Sequence, residues 1–522
     1  MPPMPAIRSG PVSGGQVVEA IAGYPGPLNP LFEQDENAKD IDSLIYQGLT
    51  TVDPNQQVVG LLAKAWTISD DKLSYTVDLR QGVRWADGRP FNADDVMFTY
   101  GVLNSPDYTE PTDQDWKNVK IEKLGNLQVR FTLKAPSASF PLALRQGIVA
   151  RHLFGNSIVP KMQSSDYSQG QAMGTGPFKV GSISPDRHTV TLDRNPYANP
   201  KPYLDHFVFR GFPSPADALD AVSSGQADLV GELALPPISA LSKRSDLTMI
   251  SVRTFDFTGV YFNRTPDSAV YFNQPTVRQA LVQAVDRRRV VQDVLGGRAD
   301  AAPGPIPPTD WAYSKADADK LAFDPTQAAK TLQAAGWAMN MQTGILNQAG
   351  RDFSVSLATT DAPPYRQVAD SVAAQLRLVG VQVQVSPVPT SELVSKVLVG
   401  SQYQLALVTF DNGPDPDQYT LWDSEASAAS LNFSRVDRLP HQALIDKALQ
   451  DGRTETDPGQ RRPRYADFQN LMADAAPAIF LFEPHYTYIV SKRVRGLHTN
   501  PVIDPVDRFE YVADWYVATL GG

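Results

Sequence analysis

The stretch "YRQVADSVAAQLRLVGVQVQVSP" at residues 365–387 changes its hydrophobic period partway along. Val368, Val372, Leu376 and Val379 recur at helical spacing, and Gly380 suits the left-handed residue that stops a helix. Val381, Val383 and Val385 then alternate with Gln382 and Gln384, which predicts a half-buried strand. "DPTQAAKTLQAAGW" predicts a second helix, capped by Asp324, opened by Pro325 and closed by Gly336. "SPADALDAVSSGQADLV" repeats the scheme, with a helix, Gly225 and a short strand at 227–230. Helix, glycine and strand in series predict α/β lobes whose sheets are flanked by helices.

The segment 49–135 follows another rhythm. "KLSYTVDLRQGVRWADGRPF" and "NLQVRFTLKAP" alternate with period two and carry turn signals, so they predict antiparallel strands. A separate β-rich subdomain near 49–171 is expected, with "GTGPFKV" at 174–180 returning the chain to its α/β part. The Pro-rich "APGPIPPTDW" at 302–311 reads as a loop, and no repeat at a fixed period is visible.

Composition narrows the classes. At 522 residues the chain predicts two to four domains, and 42% hydrophobic with 20% charged residues predicts a globule. A net charge of −10 leaves no electrostatic footprint for nucleic acid and no charge-driven adhesion to an anionic membrane. The absence of cysteine removes disulfides, zinc–cysteine sites, iron–sulfur clusters and thiol nucleophiles. No apolar run approaches the ~20 residues that span a bilayer. The longest, "APAIFLF" at 476–482, has strand length. The opening "MPPMPAIRSGPVSGG" has no hydrophobic signal core, so it reads as a flexible leader or as the start of a chain trimmed of its targeting segment.

Two places could carry chemistry. In "LRQGVRWADGRPFNADDVMFTY" (79–100), Asp87, Asp94 and Asp95 lie among aromatic residues, as paired catalytic carboxylates can. The structural reading is stronger. Asp87-Gly88 is a turn pair, Asn92 an N-cap, and Asp94 and Asp95 meet the free N–H groups of the first helical turn. The second is "LALVTFDNGPDPDQYTLW" (405–422), a buried strand followed by Asp411, Asp415 and Asp417. Open α/β sheets bind ligands at the carboxyl ends of their strands. Position alone leaves three readings: a solvated turn, a weak calcium site, or an aspartate that receives a ligand ammonium. Enzyme motifs are missing. No lysine follows a glycine, which excludes a phosphate loop, and there is no G-x-S-x-G elbow. His152, His188, His206, His441, His485 and His498 include no zinc-helix spacing, and "GTGPFKVG" lacks the third glycine of a dinucleotide fingerprint.

Read in order, longer pieces carry a resemblance. "GGQVVEAIAGYPGPLNPLF", "IYQGLTTVDPNQQVVGLLAKAWTISDDKLSYTVDLRQGVRWADGRPFNADDVMFTY", "GTGPFKV", "LDRNPYANPKPYLDHFVFR", "VYFNRTPDSAVYFNQPTVRQALVQAVDRRRVVQDVLGG", "GPIPPTDWAY", "FDPTQAAKTLQAAGW" and "PAIFLFEPHYTYIVSKRVRGL" follow one another across residues 14–498. Together they resemble the extracellular solute-binding proteins of ABC importers, family 5 (cluster C), the dipeptide/oligopeptide/nickel type. The resemblance implies a type II periplasmic-binding-protein-like α/β fold, with two lobes joined by a hinge and an extra β-rich subdomain. Lobe I maps to 1–48, 172–258 and 487–522, the subdomain to 49–171 and lobe II to 259–486, with hinge crossings near 258–263 and 482–490. It implies a carrier rather than an enzyme, without cofactor or bound metal, that closes on a solute in its cleft and docks on membrane permease subunits. The protein is then expected to be a monomer working outside the cytoplasmic membrane, lipid-anchored in its precursor.

The same resemblance places the ligand. Asp411 stands where peptide-binding members receive the peptide α-ammonium. Backbone around 32–34 (Phe32, Glu33, Gln34) and 410–413 (Phe410, Asn412, Gly413) is expected to pair with an extended peptide. Tyr108, Trp422 and Trp311 are candidate aromatic walls, with core or rim packing as the alternative. One departure matters: dipeptide binders carry an arginine before the helix corresponding to "YRQVADSV", where this chain has Thr360 and Asp361, with Arg366 further on. A longer peptide is therefore expected rather than a strict dipeptide. An oligosaccharide or other small metabolite, stacked on the aromatic residues, is the alternative ligand, and a hydrolase using the 411–417 carboxylates the remote one.

Overall fold

The computed structural model describes residues 10–32, 35–110, 116–155, 159–231, 244–315, 319–398, 402–411, 413–425 and 441–518. The chain divides into two compact units, one of Met1–Val252 with Tyr486–Gly522 and the other of Arg253–His485.

In the first unit the strand Gln16–Ala22 lies parallel to His206–Phe212 and to Leu229–Val230. Thr189–Arg194 and Phe178–Ile183 extend this sheet antiparallel beyond His206–Phe212. The helix Pro215–Ser223 forms as its sequence predicts: Ser214 accepts the Asp217 N–H, Pro215 opens it, and Gly225 takes φ 78 just past its end. The period-two segment folds as a four-stranded antiparallel sheet in the order 63–68, 74–79, 128–132, 120–125. Its inward residues Tyr75, Val77, Val129 and Phe131 belong to one hydrophobic cluster with Phe178, Phe207 and Trp515. A buried ion network secures the C-terminal part of this unit. Arg508 donates to both carboxylate oxygens of Asp40, at 2.8 and 2.5 Å, and to Glu19 at 2.6 Å.

The second unit has its own sheet. Ser354–Thr360 runs parallel to Gln382–Val388 and to Leu405–Asp411. Asp256–Phe262 lies antiparallel between Leu405–Asp411 and the start of Ala478–Ser491. The helix Pro363–Leu378 precedes Gly380 at φ 84, where a Cβ would meet Met339 Cε at 2.8 Å and Leu346 Cγ at 2.9 Å. Glycine is needed there for both conformation and space. Gln382 and Gln384 are exposed while Val383 and Val385 are half-buried, as the alternation predicts. The helix Pro325–Ala334 has the expected Asp324 cap, which accepts the Gln327 N–H. The apolar run at 476–482 opens the long strand Ala478–Ser491, along which the chain passes from the second unit back to the first. Among the described residues no helix is long and apolar enough to cross a membrane.

Candidate functional site

The two acidic stretches separate once partners are named. In the first, Asn92 caps Ala93–Leu103 through the Asp94 N–H at 2.8 Å, and Asp95 accepts the Asn92 N–H at 3.1 Å, which completes a capping box. Asp95 also accepts from Arg151 N–H at 3.1 Å and Trp85 Nε1 at 3.2 Å. Asp94 pairs with Lys123 at 2.8 Å, and Asp87 meets His152 at 2.9 Å. Every one of these carboxylates serves the local fold.

The second stretch lies at the carboxyl end of Leu405–Asp411. Strand pairing sets Asp411 opposite Asp256 and Thr409 opposite Thr258. The two threonine hydroxyls lie 2.8 Å apart, and Thr409 Oγ1 is 3.4 Å from the Tyr365 hydroxyl on the neighbouring helix. A row of hydroxyls thus lies one strand repeat before Asp411. Beyond the strand, the reading of a solvated turn or a calcium loop gives way to an ion-paired clamp. Arg461 donates to both oxygens of Asp415, at 2.8 and 2.6 Å. Its Nε donates to the Gly452 carbonyl at 2.8 Å, and its side chain is 6% exposed. Arg453 meets Asp417 at 3.2 Å and lies over the Tyr419 ring. Asp417 itself accepts the Tyr419 N–H at 3.1 Å, and Gln418 donates to the Pro305 carbonyl. Burial pushes the Asp417 carboxyl up, opposed by Arg453. Among the described residues no group of three or more His, Asp or Glu could hold a metal ion.

The aromatic candidates occupy distinct places. Trp422 is 1% exposed, stacks on Tyr261 and donates through Nε1 to Gln418 at 2.9 Å. Of its two readings, aromatic wall or core packing, this burial favours the core. Trp311 lies over the Arg461 guanidinium, 5.4 Å from its ring centroid, and meets Tyr465 edge-on. Phe410 is buried against Phe257 and Tyr261. In the first unit, Phe32 and Tyr108 pack with centroids 5.7 Å apart, and the Tyr108 hydroxyl donates to the Leu31 carbonyl at 2.6 Å. Gly413 takes φ 60. Glu33, Gln34 and Asn412 lie outside the described residues, as does the side chain of Asp411. Of the dipeptide-clamp positions, Thr360 is buried with its hydroxyl on Thr390, while Asp361 and Arg366 are exposed.

A further pair of carboxyls escaped the sequence reading. Glu483 is fully buried and accepts from Thr309 Oγ1 at 2.8 Å, while its Oε2 has no hydrogen-bond partner among the described residues. Burial pushes it up to about 8. Asp310 beside it accepts the Ala312 N–H at 2.7 Å and is pushed up to about 7, by burial and by the nearby charge of Asp415. A glutamate directly after the apolar run 476–482 was the signal, and nothing local told its partners.

Comparison with known proteins gives a consistent picture. The sequence profile described as "Bacterial extracellular solute-binding proteins, family 5 Middle" matches residues 57–430. The chain is 28% identical over 516 residues to the oligopeptide-binding protein AppA of Bacillus subtilis, covering 97% of this chain and 92% of that one. It is 25% identical over 535 residues to the dipeptide-binding protein of Escherichia coli, covering 96% and 94%. The structure of AppA from Bacillus subtilis in complex with a nonapeptide superposes with a TM-score of 0.75 at 26% identity, covering 98% of this chain and all (100%) of that one. The ABC transporter substrate-binding protein CtaP of Listeria monocytogenes shares the fold, with a TM-score of 0.81 at 24% identity over 97% of this chain and 100% of that one.

Proposed function

Because the chain belongs to the bacterial extracellular solute-binding proteins of family 5, with their two-lobe α/β fold, we propose that it captures oligopeptides in an interlobe cleft and delivers them to an ABC permease. The observation that carries this reading is the match along nearly the whole chain to an oligopeptide-binding protein, 28% identical over 97% of its residues. The lobes assigned are 1–48, 172–258 and 487–522 against 259–486, with 49–171 as a subdomain of the first. The protein works outside the cytoplasmic membrane as a monomer, lipid-anchored in its precursor, and changes no bond in its cargo. Its free energy comes from differential affinity: a ligand that binds the closed form more tightly shifts the population toward it.

Asp411 is assigned to the peptide α-ammonium, a charge-assisted hydrogen bond contributing about 1.5–3 kcal/mol. Backbone at 32–34 and 410–413 pairs with the extended peptide as a sheet edge does. The absence of an arginine at Thr360 and Asp361 favours peptides longer than two residues. The test is a thermal-shift titration with a hexapeptide mixture, in which bound ligand stabilises by RT ln(1 + [L]/Kd). The wild type is expected to shift and Asp411→Ala to lose most of that shift. An equal shift in both removes Asp411 from the site.

A further inference from the structure

The loop at 413–418 is held by charge. Its two carboxylates are each met by an arginine from the antiparallel helix pair Gln442–Thr454 and Pro458–Ala475. Arg461 grips Asp415 with two nitrogens, at 2.8 and 2.6 Å, and Arg453 meets Asp417 at 3.2 Å. The Arg461 guanidinium also donates to the Tyr465 hydroxyl at 2.9 Å and packs near the Trp311 and Tyr465 rings, 5.4 and 5.3 Å from their centroids. The planar fork is therefore held by hydrogen bonds along its edge and by contact with two rings. A bidentate guanidinium–carboxylate pair sets direction as well as distance, which an ammonium cannot do. Asp415 Oδ1 accepts the Asp417 N–H at 3.1 Å, and the Asp417 carboxylate accepts the Tyr419 N–H, so the two arginines also fix the backbone turn. In the sequence only three residues, Asn412-Gly413-Pro414, separate Asp411 from Asp415.

We propose that Arg461, seconded by Arg453, is a positioning residue for ligand capture: by clamping Asp415 and Asp417 it fixes the exit of the strand and so sets how Asp411 is presented to a ligand ammonium. This rests on the reading that Asp411 receives a peptide's amino terminus. A binding site gains affinity when its groups need no reordering as the ligand arrives. The clamp takes over that ordering before the ligand comes. The effect should then fall on recognition of the charged terminus and not on peptide binding in general.

The test uses the full-length chain, a random hexapeptide library and the same library N-acetylated. Captured peptide is quantified by mass spectrometry, and the ratio of free to acetylated peptide is the readout. Global destabilisation lowers both captures together and leaves their ratio unchanged. The wild type should prefer the free terminus by roughly tenfold or more. Arg461→Lys, which keeps the charge and loses the fork, should bring the ratio toward one. Arg453→Lys, at a half-exposed position, should lower it less and guards against a failure of Arg461→Lys to fold. Ile445→Val, which thins the core beneath the first of the two helices, should lower stability and leave the ratio alone. A wild-type preference retained in Arg461→Lys, or in Arg453→Lys where that is the variant that folds, overturns the clamp while leaving the assignment of Asp411 standing. A wild-type ratio of one overturns the assignment and the clamp with it.

Discussion

Both carboxylate oxygens of Asp415 are held by the guanidinium of Arg461, at 2.8 and 2.6 Å, with Asp415 18% and Arg461 6% exposed at their side chains. Removing one partner of such a pair leaves a buried charge uncompensated, and that desolvation sets the cost. Asp415→Asn is expected to destabilise the fold by about 3 kcal/mol. Asp417→Asn should cost much less, because Arg453 is 35% exposed and its pairing is screened by water while burial disfavours the Asp417 charge. Urea unfolding checks both. Equal midpoints for Asp415→Asn and the wild type would show that the pair is not buried in solution.

Glu483 gives a pH dependence of the opposite sign to most carboxylates. Its folded carboxyl titrates at about 8 against an ordinary 4.5, so the folded state holds the proton more tightly than the unfolded chain. The stability it contributes is fully present below about pH 4.5 and is lost as pH rises toward about 8. Glu483→Gln keeps a neutral group of the same shape and removes the titration. The melting temperature of the wild type, measured relative to this variant, is expected to fall between pH 5 and 8 and then level off. A constant difference across that range would mean that Glu483 is ionised in the folded protein.

The capping box at Asn92 and Asp95 is purely structural. Asn92→Ala is expected to cost about 1 kcal/mol and to leave peptide capture unchanged once the protein is folded. Loss of capture at full folding, followed by calorimetry, would return this stretch to the functional residues.

Much of this was legible in the chain, and the boundary between what was and was not is physical. Helix ends such as Asp324-Pro325 and Gly380 are decided by neighbours within a turn, and the structure places them as read. The antiparallel sheet at 63–132 follows from a period of two, which needs no distant information. The clamp was illegible because Arg461 lies 46 residues beyond Asp415 and in a different element. Charge next to proline and glycine therefore read as a wet turn. Trp311 and Trp422 were open to two readings for the same reason: an aromatic residue declares its size in the sequence but not which face is covered. Burial of Glu483 was hidden too, since only the fold shows that Thr309 is its partner. Its place after a buried strand left Asp411 as one of three readings, and the resemblance brought it forward; its register opposite Asp256 adds a neighbour that no local pattern contains.

The most direct test is to load the full-length protein with a random hexapeptide library, wash it, release bound material by denaturation and weigh it by mass spectrometry. The account predicts retained peptides of unaltered mass, in about one-to-one ratio with the protein. Recovery of shortened fragments, or of no peptide at all, would contradict it.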